Sequence, residues 1–267
     1  MTMRIAVLGG GVMGETLASG FLRVVSPTPQ VVVAEKRAER AAELRDALGV
    51  EIADSADAVR GAQVVVLVVK PQDIPSLLAE VGAAIEPGAL VISIAAGIRT
   101  ETIEAAVGGE VHVVRAMPNT PARIGLGMTG ISGGSRCGAA ALGLADELLS
   151  AVGDVVSLPE SLQDAVTAVS GSGPAYVFLL AEAMIDAAVD LGLDAATAAR
   201  MATQTILGAA TLLAESGEDP EVLRRNVTSP NGTTAAAIGV MLERDLPLIV
   251  GAGMAAAHNR SRELSQS

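Results

Sequence analysis

The chain has 267 residues, half of them hydrophobic and 18% charged, enough apolar material for one large core or two ordinary ones, which excludes a disordered chain. Eighteen Lys and Arg against 30 Asp and Glu leave a formal charge of −12 with no basic cluster, which argues against a nucleic-acid ligand. A single cysteine, Cys137, and two histidines, His112 and His258, exclude an internal disulfide framework and argue against a Cys/His metal site, so no metal is expected.

The chain opens with a strand over Arg4–Leu8, a glycine turn over Gly9–Gly14 and a helix over Glu15–Val24. A second strand, Val31–Glu35, leads to a helix over Arg40–Leu48, and further buried strands follow at Val64–Val69, Leu90–Ala95 and Val111–Ala116. The region of Ile131 and Val155–Leu158 offers more strand candidates. Continuous apolar strands alternating with helices predict a doubly wound parallel sheet covered on both faces. From Ser161 on no convincing strand remains, and helices are predicted over Ala175–Leu191, Ala195–Ala214, Glu221–Val227, Thr234–Glu243 and Leu246–Leu264. Gly192 marks a helix end and Asp194 the cap of the next helix. The expected domains are a Rossmann-type α/β domain over 1–159 and an all-helical domain over 160–267. Ala181, Ala183, Met184, Ile185, Ala187, Ala188 and Val189 nearly encircle one helix. Apolar residues all round a helix in a small domain call for burial against a second copy. The start lacks a signal h-region, and the apolar run Val64–Val69 is far below the ~20 residues of a membrane span, so a cytoplasmic protein without a membrane partner is expected.

Gly9-Gly10-Gly11-Val12-Met13-Gly14 fits G-x-G-x-x-G between a strand and a helix, the context in which this pattern signals a dinucleotide. The second strand ends in Glu35, Lys36 and Arg37. An acid there suits the ribose hydroxyls of NAD, whereas cations suit the 2′-phosphate of NADP. The adjacent pair favours NADPH, with NADH as the second donor; the other reading of Lys36 and Arg37 is a solvated helix start. Val68, Val69, Lys70 and Pro71 end the third predicted strand and Ala95, Ala96 and Gly97 the fourth. These strand ends lie where open α/β sheets hold ligands. Ser55 is counted with the same nucleotide-binding set.

Three further segments carry a more specific signal: Arg115-Ala116-Met117-Pro118-Asn119-Thr120-Pro121, Ser170-Gly171-Ser172-Gly173-Pro174-Ala175-Tyr176 and Val227-Thr228-Ser229-Pro230-Asn231-Gly232-Thr233-Thr234. With the fingerprint and the closing Asn259-Arg260-Ser261-Arg262-Glu263-Leu264, the chain closely resembles the 1-pyrroline-5-carboxylate reductases. These enzymes reduce a cyclic imine carboxylate to proline with NADPH or NADH, in the last step of proline biosynthesis. The resemblance implies a Rossmann domain followed by a helical dimerisation domain, a homodimer with residues of both chains in the active site, and in several members five such dimers. It departs from the family at Asn231, where a glycine is usual; Asn tolerates the left-handed backbone the turn requires. Glu35 and His258 also replace residues more usual there.

Ser229, Asn231, Gly232, Thr233 and Thr234 lead into a helix. The backbone N–H groups of residues 232–234 with nearby hydroxyls can form an anion site for the substrate carboxylate, or the threonines can simply cap their own helix. The resemblance favours the first and places Thr234, with Ser229, at the catalytic centre, Thr234 nearest the imine nitrogen. Met117 and Pro118 are expected beside the nicotinamide, and Asn119 either bonds the cofactor or holds its loop. No His, Glu or Lys stands out as a proton donor; Tyr176 is one alternative and solvent another. The competing reading is a related dehydrogenase or reductase acting on a hydroxyacid or another cyclic imine. The hydroxyacid enzymes need a lysine in the helical domain, and this chain has only Lys36 and Lys70.

Overall fold

The computed structural model describes residues 2–266. It forms two compact units: residues up to Ser172 together with those from Ala257 on, and Gly173–Ala256.

The first unit is built on eight strands: β1 (Arg4–Leu8), β2 (Gln30–Ala34), β3 (Glu51–Ala53), β4 (Val64–Leu67), β5 (Leu90–Ser93), β6 (His112–Met117), β7 (Gly127–Gly133) and β8 (Gly153–Ser157). They lie in the order β3-β2-β1-β4-β5-β6-β7-β8. Around them run α1 (Val12–Val24), α2 (Ala38–Leu48), α3 (Ser55–Val59), α4 (Ile74–Val81), α5 (Thr100–Ala106), α6 (Ala139–Leu149) and the short α7 (Gln163–Val166). Alternation along the strands divides the core into two layers, as the period of two requires. Ile5 and Val7 join Val31, Val64, Leu17 and Phe21 on one face, while Ala6 and Leu8 join Val32, Val65, Ile74 and Ile103 on the other. Phe21 is fully buried, which contributes roughly 1.5–3 kcal/mol relative to an exposed ring.

The sheet is not wholly parallel. β6 and β7 pair antiparallel, with Met117 opposite Gly130, because the segment between them is too short for the crossover that a parallel pair needs. β7 and β8 are parallel again, joined through α6. The strand ends at β1, β2, β4, β5 and β6 match the expected positions within two residues. β3 was not apparent from the sequence: it has three residues and one of them is Glu51.

The second unit holds α8 (Gly173–Asp190), α9 (Ala195–Ser216), α10 (Pro220–Asn226), α11 (Thr233–Glu243) and the first part of α12 (Leu246–Gln266). Asp194 caps α9 by accepting a 3.0 Å hydrogen bond from the Thr197 N–H, and Gly192 takes a positive φ at the end of α8's turn. Ala198 and Ala202 are its only buried apolar residues among those described. Phe178, Leu179, Leu248 and Ile249 are all more than 60% exposed in the single chain, an apolar surface far larger than solvent-facing helices carry.

The compact units divide the chain elsewhere than at the expected 159/160. Residues 160–172 bond back to the first unit: the Glu160 carboxylate accepts from the Thr100 N–H at 2.8 Å, and the buried Gln163 amide donates to the Gly130 carbonyl at 3.1 Å. The last residues of α12 return to it as well. Ser261 donates to Asp164 at 2.6 Å, and a Cβ on Gly97 would stand 3.0 Å from the Leu264 carbonyl oxygen.

Candidate active site

The glycine fingerprint forms the turn between β1 and α1. Gly9 has φ +118°, and a Cβ there would lie 2.5 Å from the Val68 carbonyl oxygen, so only glycine lets this turn press against the end of β4. A Cβ on Gly14 would overlap the Gly9 carbonyl oxygen; α1 can therefore start this close to β1 only because Gly14 has no side chain. Gly11 is different. Its Cβ would meet nothing within 4 Å, leaving backbone exposed at the N-terminus of a helix, where a diphosphate finds unpaired N–H groups and the positive end of the dipole. Arg40 secures the loop from outside, donating to the Gly10 carbonyl at 2.9 Å and pairing with Glu15 and Glu43.

This turn opens on a cleft of about 960 Å³ at the carboxyl ends of β1 to β4. Of the expected nucleotide residues, Gly9, Gly10, Gly11, Glu35, Lys36, Arg37, Ser55, Val68, Val69 and Lys70 line it. Val12, Met13, Gly14, Pro71, Ala95, Ala96, Gly97, Met117, Pro118 and Asn119 do not. The far wall brings residues that sequence reasoning missed, among them Asp54, Asp73, Ser76 and Glu80. Asp54 caps α3 through the Asp57 N–H; it adjoins the expected Ser55, and the strand that brings both to the cleft, β3, was not apparent from the sequence.

Glu35 sits at the floor of the cleft and is engaged by its neighbour. Its carboxylate accepts from the Arg37 N–H at 2.9 Å and from both Nε and an Nη of the Arg37 guanidinium at 3.1 Å. The guanidinium hydrogen bonds hold the Glu35 carboxyl below its ordinary value despite the opposing effect of burial. Arg37 itself is two-thirds exposed. The pair is a bidentate fork in which a phosphate would compete with Glu35 for the same donors. Lys36 lines the cleft beside it. The open backbone at Gly11, the cleft volume and these cations fit a nicotinamide dinucleotide.

Beyond the cleft, Met117 and Pro118 close β6, and a Cβ on Gly171 would come within 2.8 Å of the Met117 methyl. Asn119 occupies the N-cap position of a short 3₁₀ turn, Thr120–Ile124, without capping it. Its amide instead donates to the Ser170 carbonyl at 3.1 Å and accepts from the Met128 N–H at 2.9 Å. These bonds hold its loop, one of the two roles open to Asn119. Cys137 is half-buried, and burial pushes its thiol up, consistent with an inert side chain.

In the second unit, Ser229–Thr234 forms the turn before α11. Asn231 adopts φ +58°, the left-handed conformation expected of it. Gly232 is the N-cap and no side chain caps the helix, so Thr233 and Thr234 do not serve as its caps. Their backbone N–H groups belong to the first turn and have no carbonyl within the helix. The Gly232 N–H is not free as expected; it donates to the Ser229 carbonyl at 3.0 Å, closing the turn and leaving the Thr233 and Thr234 N–H groups for an anion. Ser229 is exposed and Thr234 half-buried.

Residues 160–264 match the family model described as pyrroline-5-carboxylate reductase dimerisation, and residues 4–97 match that described as NADP oxidoreductase, coenzyme F420-dependent. The pyrroline-5-carboxylate reductase of Pseudomonas aeruginosa is 43% identical over 99% of this chain and 98% of its own. Among solved structures, a pyrroline-5-carboxylate reductase from Coxiella burnetii has a TM-score of 0.93 at 35% identity, covering 100% of both chains. A Plasmodium falciparum pyrroline carboxylate reductase solved with NADP bound has a TM-score of 0.85 at 25% identity over 98% of each. A fingerprint cleft at the carboxyl edge of the sheet, an uncapped helix start in a helical unit and full-length similarity of this order agree: the chain belongs to the pyrroline-5-carboxylate reductase family.

Proposed function

We infer that this chain reduces 1-pyrroline-5-carboxylate to L-proline with NAD(P)H, with NADPH preferred over NADH. The observation that carries the reading is the fingerprint turn, with Gly11 bare in front of a cleft that ends at Glu35, Lys36 and Arg37. The nicotinamide, when bound, supplies the hydride. The chain's residues bind and orient. Gly9–Gly11 offer backbone to the diphosphate, and Lys36 and Arg37 take the 2′-phosphate, Arg37 turning from Glu35 to do so. The Thr233 and Thr234 N–H groups hold the substrate carboxylate, and the Thr234 hydroxyl stands nearest the ring nitrogen. The imine is reduced in its protonated form, and solvent supplies the proton, so no strong side-chain general acid is required.

The test is steady-state oxidation of NADPH and NADH with the cyclic imine and, separately, with hydroxyacids. Turnover with the imine alone is expected. Replacing Lys36 and Arg37 together by Ala should raise the KM for NADPH by at least about tenfold, the scale of a lost charged hydrogen bond, with a much smaller effect on NADH. Equal effects on both nucleotides would show the pair to be only a solvated helix start.

The exposed apolar faces of α8, α9 and α12 lie within the region matching the dimerisation model. The stretch Glu160–Asp190 is, by length and composition, also apolar enough to cross a membrane. We read these faces as the surface for a second copy in a cytoplasmic homodimer, with five dimers as the larger assembly. Sedimentation should show a dimer or a multiple of it and no active monomer at assay concentrations.

A further inference from the structure

Residues Thr167–Gly171 form a single π-turn, closed by the Ser172 N–H donating to the Thr167 carbonyl at 2.8 Å. Such turns are rare, strained relative to the α-helix and concentrated at functional sites. Here the local sequence explains what it needs. In a continuing helix the Ser170 carbonyl would accept from residue 174, but residue 174 is proline and has no N–H to give. A half-buried carbonyl without that donor must be satisfied from elsewhere. The donor is Asn119, from a segment 51 residues away in the chain.

The same amide reaches the other way, accepting the Met128 N–H at the start of β7. The register of the sheet makes this contact informative. Met117 lies opposite Gly130 across the β6–β7 ladder, and a Cβ on Gly130 would stand 2.7 Å from Val166, just before the π-turn. The Met117 methyl rests on Gly171. One side-chain amide thus bonds the exit of β6 to β7 on one side and to the π-turn on the other, while Met117 and Pro118 lie between.

We propose that Asn119 is a positioning residue for hydride transfer: it fixes the Met117–Pro118 turn and the Thr167–Gly171 π-turn against each other without touching substrate or nucleotide. This rests on the reading that the Met117–Pro118 turn borders the nicotinamide. One N–H and one lone pair of the Asn119 amide are committed to Ser170 and Met128, and its loss acts through the groups those two bonds hold. Displacements of an ångström at such a distance from the chemistry change rate more than affinity.

Asn119→Asp is the discriminating variant. It has the same size and keeps the acceptor for Met128, but it replaces the donor to Ser170 with a carboxylate that repels that carbonyl. The expected result is a kcat lowered by about 10- to 100-fold, an NADPH Kd from fluorescence titration within about twofold of the original, and a larger primary isotope effect with 4-deuterated NADPH. Hydrogen exchange on the nucleotide-free protein should leave the Met128 amide protected in Asn119→Asp and speed its exchange in Asn119→Ala. If Asn119→Ala does not fold, the aspartate variant carries the test alone. An Asn119→Asp protein with unchanged kcat and isotope effect, whatever its melting temperature, would make the amide merely structural and overturn the assignment; an NADPH Kd rising in step with the fall in kcat would make it a nucleotide contact and overturn it too. A parent protein that does not reduce the imine overturns both this and the functional reading; a parent that does, with an unaltered variant, overturns this alone.

Discussion

Gly14→Ala is expected to lose nucleotide binding and thermal stability together, whereas Gly11→Ala should lose nucleotide binding alone. The two glycines are three residues apart in one motif, and their surroundings are opposite. A methyl on Gly14 overlaps the Gly9 carbonyl oxygen. Backbone cannot rotate away as a side chain can, so the turn or α1 must move by about an ångström, which costs on the order of 1–3 kcal/mol as overpacking. The displaced turn carries the backbone that meets the diphosphate, and an error of that size lowers kcat/KM by about 100-fold. A methyl on Gly11 meets nothing within 4 Å and Gly11 has an ordinary negative φ of −66°, so the free protein tolerates it. The methyl then stands where the diphosphate must approach. Thermal melting with and without NADPH separates the cases: the Gly11 variant should melt like the parent and gain little from nucleotide, and the Gly14 variant should melt lower in both conditions. A Gly11 variant that still gains full stabilisation from NADPH would remove this turn from the nucleotide site.

That contrast also shows what a sequence conveys about such a site. The motif and its strand–helix context were legible because glycine spacing is a local property, and β1, β2 and β4 were legible because their continuous apolar runs, Val-rich in β2 and β4, mark buried parallel strands. The far wall of the cleft was not. β3 is too short to show a period, and Asp54, Asp73 and Glu80 reach the cleft only through the pairing of β3 with β2 and the placement of α4. Arg40 secures Gly10 across 30 residues, and Asn119 secures Ser170 across 51. Both bonds depend on tertiary contacts between segments that look unrelated in one dimension. Pro174 reads locally as a helix start where a missing N–H is harmless; only the fold shows that the Ser170 carbonyl takes its donor from Asn119 instead. The junction of α8 and α9 was placed well because Gly192 and Asp194 are terminal signals readable one residue at a time.

Thr234→Val should lower kcat/KM for the imine by about 5- to 150-fold while leaving NADPH affinity unchanged. The substitution keeps the branched shape and removes only the hydroxyl. A hydrogen bond to a charged group contributes roughly 1–3 kcal/mol, which converts to that range of rate. The helix start explains why the loss should appear in the substrate and not in stability: α11 has no side-chain cap, so the Thr234 hydroxyl is not spent on its own helix. Thr234→Ser restores the hydroxyl and should recover much of the activity. The valine variant is informative in either direction. Full activity would make the loop a structural turn and pass the role to Tyr176 or to backbone; equal weakening of NADPH and imine binding would indicate that the whole unit had shifted.

The path of the chain has a consequence for how the protein is made. The first unit is discontinuous: its sheet is complete by Ser157, yet residues from Ala257 on belong to it, with Ser261 bonded to Asp164 and Leu264 seated at Gly97. During synthesis the strands emerge first, but the segment that packs against Gly97 leaves the ribosome only after the whole helical unit. The nucleotide-binding unit therefore begins folding before the helical unit and finishes after it. A nascent chain stalled anywhere before Ala257, like a fragment cut at the end of β8, carries the sheet without the contacts that Ser261 and Leu264 make to it.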